Sequence, residues 1–141
     1  MSTPAVIGLR KPDNTIEAIY VHWDGYPSHT GNILLEYYNT YEKAKQLISL
    51  GNLSSIDKLI SPPEGVPHNF DNPAPDVCVA YCRDRNAKFE SFQIPKQPTV
   101  ATIQNMAQYD AVWLYLFENN QWHKATPASR RWYPLKKTKG D

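Results

Sequence analysis

The sequence predicts an α+β domain: an antiparallel sheet of about six strands, laid down as hairpins, with helices mostly on one face. Three observations carry this expectation. Residues 5–23 hold two apolar, β-branched runs around a cluster of turn residues. Residues 28–51 carry helical periodicity between cap signals, and residues 112–125 hold another strand pair around Asn119 and Asn120. The full order reads ββ-αα-ββ-α-ββ without an internal repeat, and 141 residues suit a single domain.

The first hairpin joins residues 5–9 to residues 16–23 through Lys11, Pro12, Asp13, Asn14 and Thr15, all suited to turns. Alternation in the second strand puts Ile16, Ala18, Tyr20, His22 and Asp24 on one face, and Glu17, Ile19, Val21 and Trp23 on the other, which faces the core. Gly25 and Pro27 end this strand. Ser28 or Thr30 then caps a helix bearing Ile33, Leu34, Tyr37 and Tyr38. Thr40 caps a second helix, with Glu42 near the positive end of its dipole and Tyr41, Ala44, Leu47 and Ile48 as its apolar stripe. Gly51 suits the residue that terminates it. Residues 52–60 are expected to hold one more helical turn.

Residues 61–75 contain Pro62, Pro63, Pro67, Pro73 and Pro75 and no periodicity, so they read as a long loop, either a lid or a packed excursion. Residues 77–82 and 88–94 are predicted as a hairpin across Arg83–Arg85 and its flanking residues. A short helix follows over 99–108, with Val100, Ile103 and Ala107 on one face. Residues 112–117 then pair with residues 121–125. The tail, residues 128–141, is basic through Arg130, Arg131, Lys136, Lys137 and Lys139, with Trp132 and Tyr133 interleaved; the expectation is a solvated arm, with contact to phosphates or to an acidic partner as the alternative.

Composition narrows the function classes. A net charge of +1 gives the chain as a whole no reason to hold a long nucleic acid. Residues 1–4 lack the basic start and apolar run of a secretory signal, and no stretch approaches the roughly 18 apolar residues of a membrane span. Cys78 and Cys82 on one strand would stand about 13 Å apart, beyond disulfide reach. Two reduced thiols fit a cytoplasmic protein. Four Trp, nine Tyr and four Phe supply much flat, rigid contact area.

That area concentrates between residues 20 and 31. Trp23, Asp24, Gly25, Tyr26, Ser28, His29, Thr30 and Gly31 follow Tyr20 and His22 at a strand-to-helix corner. His22, Asp24 and His29 lack the second ligand pair of a metal site, and no metal or other cofactor is expected. A His–carboxylate pair beside Ser28 and Thr30 holds the ingredients of a small hydrolase or lyase, but no nucleophile elbow or phosphate-cradling loop accompanies it. Binding asks for less. The glycines admit close approach, helix N–H groups suit an anion, Trp23, Tyr26 or Tyr81 can stack on a base, and Arg83 or Arg85 can pair with phosphate. No catalytic residue is assigned.

Tyr20-Val21-His22-Trp23-Asp24-Gly25-Tyr26-Pro27, followed by Gly31, Leu34-Leu35, Tyr38-Asn39-Thr40, Lys43, Leu47-Ile48, Leu50-Gly51 and Leu53-Ser54-Ser55, resembles a widespread family of small phage and prophage proteins. The likeness covers about the first two fifths of the chain. It is also similar to phage sponge proteins that trap cyclic dinucleotides of the CBASS type. This resemblance implies immune evasion in the host cytosol by sequestering a nucleotide second messenger, with a pocket that a homo-oligomer interface can complete. The alternative partner it implies is a host defence protein, inhibited by direct contact.

Overall fold

The computed structural model describes residues 2–95, 103–108 and 110–138. The N-terminal hairpin forms as expected. Strand β1 (Ala5–Arg10) pairs antiparallel with β2 (Ile16–Val21), and Asn14 takes the turn's left-handed position at φ 69°. A π-helical turn (Pro27–Gly31) with proline in its first turn leads into α1 (Asn32–Tyr37). Helix α2 (Tyr41–Ile48) starts where Thr40 accepts the Lys43 N–H at 3.1 Å, and Gly51 beyond it adopts φ 76°. The later hairpin also forms: β6 (Trp113–Glu118) turns through Asn119 and Asn120, both at positive φ, into β7 (Gln121–Ala125).

Between these, the chain departs from expectation. Residues 53–55 form a short strand, β3 (Leu53–Ser55), in place of the helical turn. The predicted hairpin of 77–82 with 88–94 does not form. Only Val79–Ala80 is extended (β4); Tyr81–Arg85 coils into a helical turn (α3), and Phe92–Ile94 alone makes β5. The reason is local. Asp84 reaches back to accept the Ala80 N–H at 2.8 Å, a side-chain bond that competes with the sheet ladder, and Asn86 ends the turn at φ 58°. Helix α4 (Ile103–Met106) occupies part of the predicted 99–108 helix; residues 99–102 lie outside the described residues. A final strand, β8 (Tyr133–Pro134), closes the sheet.

The α+β class holds, but the sheet has eight strands among the described residues and is mixed, not antiparallel. Its order is β4-β3-β2-β1-β6-β7-β8, with β5 added to β2. Strands β1 and β6 run parallel from Ala5↔Trp113 to Leu9↔Phe117, and β2 meets β3 in parallel at Val21. Both parallel pairs are joined through helices, the crossover that such pairing requires.

Both faces of the sheet are buried. One core packs Leu34 of α1, Ala44, Leu47 and Ile48 of α2, and Tyr38 between the two helices onto Ile7, Ile19, Val21, Tyr115 and Trp122. The other seats Ile103 and Met106 of α4 with Ile94 and Trp132 on Val6, Ile16, Ala18 and Leu116. The helices therefore divide between the faces. The outer flank of β2 is shared: β5 covers Ile16 to Ala18, β3 meets Val21, and the Asn52 side chain takes the Tyr20 N–H between them at 2.9 Å.

Candidate functional site

The corner after β2 is filled from within. Gly25 donates to the Thr3 carbonyl at 2.7 Å, and a Cβ there would stand 2.5 Å from that oxygen. The Tyr115 hydroxyl donates to the Gly25 carbonyl at 2.6 Å. Thr30 is fully buried and spends its hydroxyl on the Asp24 carbonyl at 2.7 Å; Gly31 is buried within 3.2 Å of Leu135, measured from its would-be Cβ. The N–H groups of His29 and Thr30 both turn back to the Tyr26 carbonyl. They are thus committed within the turn, and the anion cradle expected of them is not formed by that pair. His29 donates from Nε2 to the Ile56 carbonyl at 3.3 Å, Ser28 is half-buried, and Tyr26 lies 6.3 Å from the His29 ring. Asp24 is exposed at φ 57°, a conformation that Asp tolerates.

Trp23 is not a core residue. Strand β2 ends at Val21, and Trp23 stands 44 % exposed with its ring edge-on to His22 at 4.6 Å. His22 does not pair with Asp24. Its Nδ1 bonds the Tyr20 hydroxyl at 2.6 Å, as the shared strand face allows. Burial raises the Tyr20 pKa, and the Tyr81 and Asp110 side chains lie near enough to add to that effect.

Asn52 joins this surface to a second one. Its side-chain oxygen holds the Tyr20 N–H, while its backbone carbonyl holds the Tyr81 N–H at 3.2 Å. Tyr81 leads α3, and its ring lies 5.7 Å from Phe70 of the proline-rich loop; the Arg85 guanidinium sits 5.0 Å over the Phe70 ring as a cation–π contact. Phe70, the side chains of Asn69, Asn72 and Asn86, Arg83 and Arg85, and the carboxylates of Asp71 and Asp84 border an open groove of about 600 Å³. This is within the range of small-ligand sites.

The predicted residues thus separate by role. Arg83 and Arg85 line the groove beside Phe70, and Tyr81 meets it only through its ring contact with Phe70. Arg83 is occupied structurally: its guanidinium bonds the Ile60 carbonyl, the Cys78 carbonyl at 2.8 Å, and Asp84 at 2.7 and 2.9 Å. Asp84 also meets His68 at 3.1 Å, and both side chains are almost wholly buried. His68 accepts the Ala74 N–H on Nδ1 at 2.9 Å, so Nε2 carries the proton that faces Asp84. Burial opposes ionisation of Asp84, but Arg83, the Ala80 N–H and His68 together outweigh it and hold the carboxyl below its ordinary value. These bonds pin residues 61–75 against α3, with Phe70 N–H on the Asp84 carbonyl at 3.1 Å.

Three contributors escaped the sequence: Phe70, Asn52 and the His68–Asp84 pair. Phe70 is the lone large ring of the proline-rich stretch, a signal available from residue types alone. Asn52 and His68 act through bonds between distant segments, which spacing does not reveal. Elsewhere, buried Cys78 bonds the Asp57 backbone and the Tyr38 hydroxyl, and burial pushes its thiol up. Among the described residues no three His, Cys, Asp or Glu side chains gather as a metal site, and no helix is long and apolar enough to cross a membrane. No family model, curated protein or solved structure matches the chain.

Proposed function

We propose that this protein captures a small nucleotide without turning it over. The observation that carries the proposal is the bridge through Asn52, whose side-chain oxygen holds the Tyr20 N–H and whose carbonyl holds the Tyr81 N–H, tying the strand that leads to His22 and exposed Trp23 to the turn whose Tyr81 and Arg85 meet Phe70. An exposed indole offers a stacking face for a base. Arg85 offers a planar, permanently charged partner for phosphate, and the Asn69, Asn72 and Asn86 amides at the groove offer both donors and acceptors for base edges. Retention rather than reaction suits the two histidines nearby. His68 has both ring nitrogens engaged, and His22 has its Nδ1 engaged by Tyr20.

Sequestration of a cyclic nucleotide defence signal in a host cytosol is the role proposed, in keeping with the likeness to phage-encoded sponges. Calorimetry against mononucleotides, cyclic dinucleotides and cyclic trinucleotides tests it. Stoichiometric binding, with the nucleotide recovered intact by chromatography, is expected. Trp23→Ala and Arg85→Ala should each weaken it by about 10- to 100-fold, the worth of one stacked base or one charged contact. No binding at micromolar concentrations overturns the proposal. A stoichiometric host protein recovered on the immobilised chain, without nucleotide binding, favours direct inhibition instead.

A further inference from the structure

The opposite edge of the sheet carries a charge asymmetry that the net charge conceals. From Gln121 to Thr138 the chain has five cations, Lys124, Arg130, Arg131, Lys136 and Lys137, and no carboxylate. Lys137 pairs with Glu36 at 3.2 Å. Among the described residues, the other four have no acidic partner within 4.0 Å. They are also held in place, contrary to a loose solvated arm. Trp132 and Leu135 are buried, β8 pairs with β7, and Asn32 binds both the N–H and the carbonyl of Thr138, at 2.8 and 2.7 Å. Lys139 lies outside the described residues.

The fixed tail presents one flat group among these charges. Tyr133 is 43 % exposed, directly opposite Lys124 across the β7–β8 ladder, with the Arg131 guanidinium 5.0 Å over its ring. Next to them Arg130 borders a groove of about 440 Å³ whose other walls include the polar side chains of Gln104, Asn105 and Ser129. We propose that this edge is a contact surface for single-stranded nucleic acid. Cations along the tail follow the phosphodiester backbone, Tyr133 stacks on a base, and the groove amides meet base edges without reading sequence. An acidic peptide would use the same cations but gain nothing from an exposed ring. The surface lies five strand spacings from β3, roughly 24 Å, so it is separate from the groove beside Phe70.

Fluorescence anisotropy with a labelled twelve-residue oligothymidylate tests this against a labelled polyglutamate of equal length. The oligonucleotide should bind at low salt with log K falling against log salt at a slope of about −2 to −3, as three or four phosphate contacts require. Arg130→Ala with Arg131→Ala should weaken binding at least tenfold and flatten that slope. Tyr133→Ala should weaken it several-fold through stacking, while Lys58→Ala, an exposed cation elsewhere, should not change it. Circular dichroism melts establish that each variant is folded. Equal affinity for polyglutamate overturns the proposal in favour of an acidic protein partner. No binding at low salt, or binding that the folded tail variants leave unchanged, overturns it outright.

Discussion

The Tyr115 hydroxyl donates to the Gly25 carbonyl at 2.6 Å, across 90 positions of sequence. Tyr115 is fully buried in the middle of β6, and burial raises its pKa, so the phenol is a neutral donor. Removing the hydroxyl leaves a buried carbonyl without that donor, and Tyr115→Phe should cost about 1–3 kcal/mol with the fold retained. Gly25→Ala should cost at least as much, because its methyl meets the Thr3 carbonyl and Ala5 together. Urea unfolding of both variants, with unchanged denaturant slopes, checks the pair.

What the sequence made legible, and what it did not, follows the range of the forces involved. Alternation and turn chemistry act within a few residues, and the hairpins at Asn14 and at Asn119–Asn120 stand where those signals put them. Thr40 likewise caps α2 through its own side chain. The 77–82 stretch looks like a strand by composition, yet Asp84 captures the Ala80 N–H and starts a helical turn. The parallel seam between β1 and β6 depends on a meeting of residues more than one hundred positions apart, which no local pattern encodes. The same holds for the site. Trp23 was marked by its neighbours, but the strand ends before it and exposes the ring. Thr30 and Gly31 were marked by the same density of polar and small groups, and there the groups serve the corner itself.

The clamp at Asp84 should give way in acid. Its folded pKa lies below the ordinary carboxylate value, so the unfolded chain binds a proton first as pH falls. The stabilisation is therefore complete above about pH 5, shrinks below about pH 4, and is lost once pH passes the folded pKa. Urea midpoints of the native protein and Asp84→Asn, measured from pH 7 to pH 2.5, should differ at neutral pH and converge in acid. A gap that stays constant or widens in acid would contradict the sign.

The two thiols should separate by access. Cys78 is wholly buried, and burial also suppresses its thiolate, whereas Cys82 on α3 is half-exposed. Under native conditions a small alkylating reagent should label one thiol per chain within the first phase, and peptide mapping should find it at Cys82. The second should label only at the rate of opening, rising in denaturant. Fast labelling of Cys78 would mean that its contacts with Asp57 and Tyr38 open locally.

At the far end of β1, Arg10 and Glu118 form an ion pair with side chains only 8 % and 1 % exposed. The second carboxylate oxygen of Glu118 is buried and has no hydrogen-bond partner. Such a pair contributes less than its geometry suggests, since both charges lose water and one oxygen recovers nothing for it. Removing only the cation is worse still. Arg10→Met leaves the carboxylate buried alone and should destabilise the fold by about 3–5 kcal/mol. Adding Glu118→Leu removes the stranded charge, and the double variant should regain most of that loss. Thermal or urea unfolding of the two single variants and the double completes the cycle. A double variant no more stable than Arg10→Met would show that Arg10 supports the fold through contacts other than Glu118.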